Sequence, residues 1–278
     1  MKKNHLLGRL ICYLTAVAIL LCVAPVLLGQ QPDRFAAIAP KMQAFVDQGQ
    51  ISGIVTLVAD KDRILYLAAV GVSDISTGRK MQTDDLFWIA SMSKPITAVG
   101  IGILVDDGKL SFDDPVAKFV PEFADVMVRT GRSGPTSRPS RPITLRDVLT
   151  HTSGLGEMTQ RDPHLSLAQT AVELAKLPLR FQPGTKWAYS TAGMDLMGRV
   201  IEVASGMPFD QFMQKRIFDP LGMTQTTYWL TAEQNARYAH SYVLNSQTNK
   251  LEETTIPYLY GTAVTDVGRF SNLQRSPK

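Results

Sequence analysis

Cysteine is nearly absent from this chain of 278 residues, since Cys12 and Cys22 are the only two. Both lie in an apolar N-terminal stretch, so residues 31–278 contain no thiol. This absence excludes a disulfide-stabilised fold and a cysteine nucleophile for the body of the protein.

Histidine is also scarce, and only His151, His164 and His240 lie outside the first 30 residues. None of them belongs to a His-Glu-x-x-His pattern, so we expect no catalytic zinc. Glycine-rich phosphate-binding patterns are missing too, so we expect no nucleotide cofactor. The sequence thus predicts a protein that works without a metal or a cofactor.

Excess charge is small in the body of the chain. The formal net charge is +4, but Lys2, Lys3 and Arg9 supply three of these charges and no acidic residue precedes Asp33, which leaves +1. A body with so little excess charge has no electrostatic footprint for nucleic acid. We therefore expect no nucleic-acid partner.

One basic cluster stands out against this balance. Its four arginines are interspersed with glycine and proline: Arg129, Arg132, Arg138 and Arg141. This composition predicts a solvated, mobile loop. The alternative is a surface that steers anionic substrates.

The N-terminus has the pattern of an export signal. Three basic residues precede an uncharged apolar run over residues 10–28, which is typical of a signal peptide and is nearly long enough to span a bilayer. We expect residues 1–30 to be a signal peptide or a membrane anchor. The body, residues 31–278, is then periplasmic or extracellular, and possible membrane attachment runs through residues 10–28.

The first half of the body predicts a helix, a hairpin and a second helix. Apolar residues recur at helical spacing over 33–50, and two β-branched runs over 51–59 and 63–70 predict a β-hairpin. Residues 71–81 are rich in turn formers. A helix over 91–107 is apolar on most sides, so we expect it to be buried.

The second half predicts mainly helices. Thr144 to Asp147 resembles a capping box, and further helices are predicted over 166–177, from the end of the segment 187–191 to Ser205, and from Pro208 to about 219. A hairpin in one half and helices in the other predict two lobes with the site between them.

Ser91 and Lys94 carry the first chemical signal. Three residues apart in the first turn of a helix, their side chains lie along one face. An amine within reach of a serine hydroxyl can take its proton and activate it as a nucleophile. Taken alone, the pattern is weak, because a helix cap followed by a solvated lysine has the same residues and spacing.

Five segments in order resemble the serine β-lactamase and penicillin-binding-protein family, in its class C and esterase-like branch. They span roughly Ala36 to Phe270 at family-like spacing: Ser91-Met92-Ser93-Lys94, Leu149-Thr150-His151-Thr152-Ser153-Gly154-Leu155, Phe181-Gln182-Pro183-Gly184, Tyr189-Ser190-Thr191 and Phe218-Asp219-Pro220-Leu221-Gly222-Met223.

The resemblance implies an α/β (α+β) fold of the β-lactamase/transpeptidase type, with an antiparallel sheet, flanking helices and a helical lobe. It implies that Ser91 is the nucleophile, Lys94 the general base and Tyr189 a phenol on the opposite wall. Lys94 and Tyr189 are assigned as a coupled pair. The implied activity is a serine hydrolase that forms an acyl-enzyme on a β-lactam, a short-chain ester or a D-amino-acid peptide.

Two departures from the family pattern matter. Thr191, a predicted substrate-binding residue, stands where the family usually has asparagine, which favours an ester or peptide over a β-lactam. No Lys-Thr-Gly or His-x-Gly strand follows Gly261–Phe270, so three of the five family strands and one oxyanion donor are expected to be missing. We therefore expect a chain truncated at its C-terminus, and a non-catalytic remnant or binding module is the alternative function.

His151 and Ser153 are considered as a second catalytic pair. They lie two residues apart on a turn, where their side chains diverge, and no Gly-x-Ser-x-Gly elbow surrounds Ser153. We expect both to be structural, with His151 anchoring a loop or a helix end.

Overall fold

The structure is a computed structural model that describes residues 34–129, 131, 133–158 and 165–254, and the backbone of 264–265. Its helices are α1 (Ile38–Asp47), α2 (Ser93–Asp106), α3 (Leu145–Leu149), α4 (Leu167–Ala175), α5 (Ala192–Ser205), α6 (Phe209–Met213) and α7 (Ala232–Ala236). Its strands are β1 (Gly53–Ala59), β2 (Ile64–Asp74), β3 (Arg79–Lys80), β4 (Phe87–Trp88), β5 (Val128–Arg129), β6 (Thr136–Ser137), β7 (Tyr242–Asn245), β8 (Lys250–Glu253) and β9 (Val264–Thr265).

An N-terminal layer consists of α1 packed on an antiparallel sheet in the order β1-β2-β3. The predicted hairpin is confirmed, with Leu57 opposite Leu67 and an irregularity at Val58/Ala59. Strand β3 was not expected in the turn-rich stretch. It forms because the Asp74 carboxylate accepts hydrogen bonds from the Ser76 and Thr77 side chains, closing a tight turn after β2.

The main core lies among the helices. Helix α2 packs against α5, which also contacts α3, α4 and α6. Gly100 permits the close approach of α2, because a Cβ there would lie 3.0 Å from Ile201 Cδ1 and 3.0 Å from Met213 Sδ. The nucleophile predicted from the sequence thus precedes a helix that is anchored in the core.

Helix α2 corrects two expectations. It begins at Ser93, because Ala90–Met92 form a separate 3₁₀ turn that contains Ser91. The helix was also expected to be buried, but one side of it reaches the surface, since the Val99 side chain is 52% exposed. Its buried face is lined by Thr97, Gly100 and other small or apolar residues, whereas Pro95 and Asp106 are exposed like Val99.

The other predicted helices form with shorter bounds. The capping box of α3 is confirmed: the Thr144 hydroxyl accepts from the Asp147 backbone N–H, and the Asp147 carboxylate accepts from the Thr144 N–H. Helix α5 ends as predicted at Gly206, which adopts a left-handed φ of 72°. The helix after Pro208 continues from α6 into a π-helical turn over Gln214–Phe218, and the β7-β8 hairpin was not predicted.

The basic cluster is not simply a mobile loop, which corrects that expectation. Arg129 lies in β5, and Arg141 forms a two-pronged ion pair with Asp147, at 2.5 Å and 2.8 Å. Asp147 is buried, so this arginine compensates a charge that would otherwise be costly to bury. Arg132 lies outside the described residues.

Within the described ranges, no helix combines the length and the apolar character needed to cross a bilayer. The predicted leader, residues 1–30, lies outside those ranges, as does most of the segment Gly261–Phe270. The backbone of β9 pairs antiparallel with β4, with Phe87 opposite Thr265.

Candidate active site

Ser91 is presented by a sharp turn between β4 and α2. Ala90, the residue before it, has a φ of 48°, which is left-handed and uncommon for alanine. The 3₁₀ turn that contains Ala90 and Ser91 leads directly into α2, and one face of α2 is packed in the core. Ser91 is therefore exposed to solvent while its backbone rests on a rigid element.

The three predicted catalytic side chains meet at the Ser91 hydroxyl. Lys94 Nζ donates to Ser91 Oγ at 3.0 Å, and Tyr189 OH donates to the same oxygen at 2.7 Å. The Lys94 ammonium also lies over the Tyr189 ring, 4.9 Å from its centroid. One serine oxygen thus has an amine and a phenol in direct contact.

The wall that carries Tyr189 is held by a ladder of backbone hydrogen bonds. The segment 151–154 accepts from three successive points of the segment 180–188: Arg180 N–H to Gly154 O at 2.7 Å, Gly184 N–H to Thr152 O at 2.8 Å, and Ala188 N–H to His151 O at 2.9 Å. Gly154 has a φ of 81° and its Cβ position is 2.4 Å from Phe181 O, so only glycine fits there. Two of the family-like segments are thereby joined.

His151 makes the last contacts of this ladder. Its Nδ1 accepts from the Ser190 backbone N–H at 3.2 Å, and its ring lies 4.7 Å from the Tyr189 ring, centroid to centroid. Burial lowers the pKa of His151 below its usual range, and the Lys94 charge lowers it further, while Glu157 opposes both. The anchoring role expected for His151 is consistent with these contacts.

Glu157 is a residue of the site that the sequence did not point to. Its carboxylate accepts from the Thr191 backbone N–H at 2.5 Å and from the Ala192 N–H at 3.4 Å, at the N-terminus of α5. A carboxylate there stabilises the free N–H groups and the helix dipole. No local pattern could have revealed it, because Glu157 lies 34 residues before Thr191.

The other residues considered from the sequence, Ser153 and the remaining histidines, are not part of the cluster around Ser91. Ser153 is buried, and its hydroxyl accepts from the Leu155 N–H at 3.3 Å. His240 Nδ1 pairs with Glu253 at 2.8 Å, and His164 is outside the described residues. Among the residues that the structure describes, no group of three histidine, cysteine or acidic side chains could hold a metal ion.

The arrangement suits nucleophilic attack on an exposed carbonyl. Removal of the Ser91 proton requires one neighbour in its basic form, and both the amine and the phenol are close enough to receive it. The Ser91 N–H lies at the start of a helical segment, where such groups have no intrahelical acceptor. A serine hydroxyl, an amine, a phenol and a backbone N–H are therefore grouped at the surface.

Known proteins with related sequences match most of this chain. A lovastatin esterase of Penicillium rubens is 36% identical over 213 residues, covering 70% of this chain and 53% of its own. A putative D-alanyl-D-alanine carboxypeptidase of Escherichia coli is 27% identical over 248 residues, covering 79% of this chain and 55% of its own. This chain thus spans about half the length of these relatives.

A solved structure is similar to this chain in fold. The structure of EstCE1, described as a hydrolase with promiscuous acyltransferase activity, superposes with a TM-score of 0.70 and 25% identity, over 86% of this chain and 68% of its own. The predicted fold class, mixed helices and antiparallel strands of the β-lactamase/transpeptidase type, is confirmed. The profile of the family named Beta-lactamase matches residues 38–277, so the chain belongs to the β-lactamase family.

Proposed function

We propose that this protein is a serine hydrolase that cleaves carboxylic esters through an acyl-enzyme. The observation that carries the proposal is the pair of contacts at one oxygen: Lys94 Nζ and Tyr189 OH both within 3.0 Å of Ser91 Oγ. A serine hydroxyl is a weak nucleophile unless a base is within hydrogen-bond reach. Here two candidate bases are within reach and neither is needed to fill the core.

The reaction has two halves. Ser91 Oγ attacks the ester carbonyl carbon while its proton passes to the Lys94–Tyr189 pair; the bond to the alcohol then breaks, and the alcohol leaves with that proton. Water next attacks the acyl-enzyme, gives a proton to the same pair and releases the acid, and Ser91 recovers its proton.

Charge on the carbonyl oxygen needs donors during both halves. The Ser91 N–H is the donor that this chain offers from its described residues, and the positive end of α2 adds to it. Loss of a single such donor typically lowers the rate by ~10²–10³-fold. Activated esters, whose leaving groups need less assistance, are therefore the most sensitive reagents for detecting acylation.

Two observations favour an ester over the other substrate classes. Related sequences include a lovastatin esterase, and the related EstCE1 structure is described as a hydrolase with acyltransferase activity. Thr191 also stands where an asparagine is usual in the family, and its backbone N–H is occupied by Glu157. A β-lactam and a D-amino-acid peptide remain outcomes of the test below.

Intact mass spectrometry tests the proposal directly. The purified protein is exposed to an activated short-chain ester and, separately, to a penicillin, beside a Ser91→Ala control. We expect an acyl adduct from the ester that is absent in the control. A folded protein that forms no adduct with either reagent would favour a non-catalytic binding module, and preferential labelling by the penicillin would move the substrate to the β-lactam class.

A further inference from the structure

His151 has an unusual backbone conformation, and in it both its carbonyl and its ring bond to other residues of the site. Its φ is 60°, in the left-handed region that residues other than glycine rarely adopt. In this conformation the carbonyl and the ring of one residue both face the segment 187–190. An extended or right-handed backbone would direct them to different places.

These two groups bracket Tyr189. The His151 carbonyl accepts from the residue before it, Ala188, at 2.9 Å, and His151 Nδ1 accepts from the residue after it, Ser190, at 3.2 Å. The imidazole also packs on the Tyr189 ring, with Trp187 meeting its edge at 6.1 Å between centroids. Tyr189 is thus held on both sides of its backbone and on one face of its ring.

The hydrogen bond from Ser190 specifies the protonation state of His151. A ring nitrogen accepts only when it carries no proton, so the imidazole must be neutral with its proton on Nε2. Protonation would place an Nδ1–H against the Ser190 N–H, and two donors cannot bond each other. The charged or titratable groups that face His151 are Lys94, Glu157 and the Tyr189 phenol.

We propose that His151 is a positioning residue for Tyr189, and that protonation of its ring withdraws the Tyr189 phenol from Ser91 and switches the site off. This inference rests on the proposed function, in which Tyr189 carries a proton to and from Ser91. Burial disfavours the protonated ring most, the Lys94 charge adds to this effect, and Glu157 opposes both. The contacts with Ser190 and Tyr189 therefore couple the ring to the site, and burial and the two charges set the pH at which the ring is protonated.

The pH dependence has a definite direction. Because burial and Lys94 lower the pKa of His151, the ring is neutral at neutral pH and becomes charged only at a lower pH than a free imidazole does. Protonation of His151 adds one proton to whatever else titrates during the reaction. In acid, acylation should therefore fall more steeply in the wild type than in a variant whose residue 151 cannot titrate.

Two substitutions separate the ring from the backbone. His151→Asn tolerates the left-handed conformation and keeps an acceptor near Nδ1 that does not titrate. His151→Gly also suits the conformation but offers no acceptor and no ring. We expect Asn to retain acylation at neutral pH and to lose the steeper fall in acid, and Gly to lose about 10- to 100-fold in the acylation rate constant with little change in KM.

A spectroscopic readout removes the dependence on turnover. In the 278-residue chain labelled with ¹⁵N-serine and ¹³Cζ-tyrosine, the Ser190 amide and the Tyr189 ring signals should both shift with the His151 titration, and His151→Asn should abolish both shifts. If neither signal follows His151, the inference is wrong, whatever the activity. If both follow it while Ser91→Ala acylates like the wild type, the proposed function fails and the positioning role stands.

Discussion

The Tyr189 side chain lies at the surface and not in the core. It is 44% exposed, its hydroxyl contacts Ser91, and its ring lies between the His151 imidazole and the Lys94 ammonium. A core tyrosine would instead be buried, as Tyr228 is, and burial raises the pKa of Tyr228 far above its usual range. The two tyrosines show how differently one residue type is used within this protein.

Removal of the Tyr189 hydroxyl gives the first prediction. We expect Tyr189→Phe to lower the rate constant for ester acylation by ~10²–10⁴-fold, the range for loss of a positioned proton carrier. Because the ring is retained and is partly exposed, the midpoint of urea unfolding should stay within error of the wild type. Acylation rates followed by mass spectrometry give the first quantity and circular dichroism the second.

Tyr228→Phe is the matched control for this substitution. It removes the same hydroxyl from a buried tyrosine remote in sequence from the catalytic segments, so it should leave the acylation rate unchanged. Equal acylation by Tyr189→Phe and wild type would show that the phenol has no part in the reaction.

At the scale of elements, α3 depends on one buried carboxylate. Asp147 completes the capping box with Thr144 and pairs with Arg141. Burial by itself raises the pKa of Asp147, but the hydrogen bonds from Arg141 and Thr144 outweigh it, and the pKa lies below its usual value. The helix that leads into the His151 segment is therefore anchored by an ionised group.

We predict that Thr144→Ala, which removes the cap alone, lowers the free energy of unfolding by about 1 kcal/mol. Asp147→Ala also removes the bonds to Arg141, and we expect a loss of about 2–3 kcal/mol at pH 7. Urea unfolding of both variants and the wild type measures these values.

The difference between wild type and Asp147→Ala should shrink in acid. The unfolded state binds a proton at Asp147 at a higher pH than the folded state does, so this contribution is complete above about pH 4 and is lost as pH falls through the lower, folded pKa. A deficit that stayed constant from pH 7 to pH 3 would mean that Asp147 acts through packing and not through its charge.

At the scale of the whole molecule, burial is unevenly distributed. Helix α5 contains eight buried residues, including Leu196 and Ile201, whereas α1 and β1 contain none and β2 contains only Ser73 and Asp74. The hairpin face that carries Leu57, Ile64 and Leu67 is exposed within the described part of the chain. The helical core should therefore supply most of the stability.

Native-state hydrogen exchange tests this distribution. We expect amides in α5 to exchange only through global unfolding, and amides of β1 and β2 to exchange through a smaller opening, at least ~1.4 kcal/mol easier, a factor of about ten. The denaturant dependence of each amide distinguishes the two kinds of opening. Equal exchange free energies in α5 and β1 would contradict this prediction and would indicate that the helical core and the hairpin unfold as one cooperative unit.

The parts that the sequence predicted well depend on near neighbours. The Ser91–Lys94 contact follows from helical spacing, the α3 cap from residues three apart, and the end of α5 from Gly206. The hairpin follows from two β-branched runs with a polar turn between them. In each case the interacting groups are close in the chain, so local geometry is sufficient.

What the sequence alone determined was therefore the family, the β1-β2 hairpin with most of the helices, and Ser91, Lys94 and Tyr189 as the candidate residues of the site. The tertiary structure decided which of them meet: Tyr189 reaches Ser91 from 98 residues away, Glu157 reaches Thr191 from a loop, and the His151 ring accepts from Ser190. It also decided that Val99 is exposed on a helix expected to be buried. These contacts depend on how elements that are distant in the sequence pack together, and a local sequence pattern contains no information about that packing.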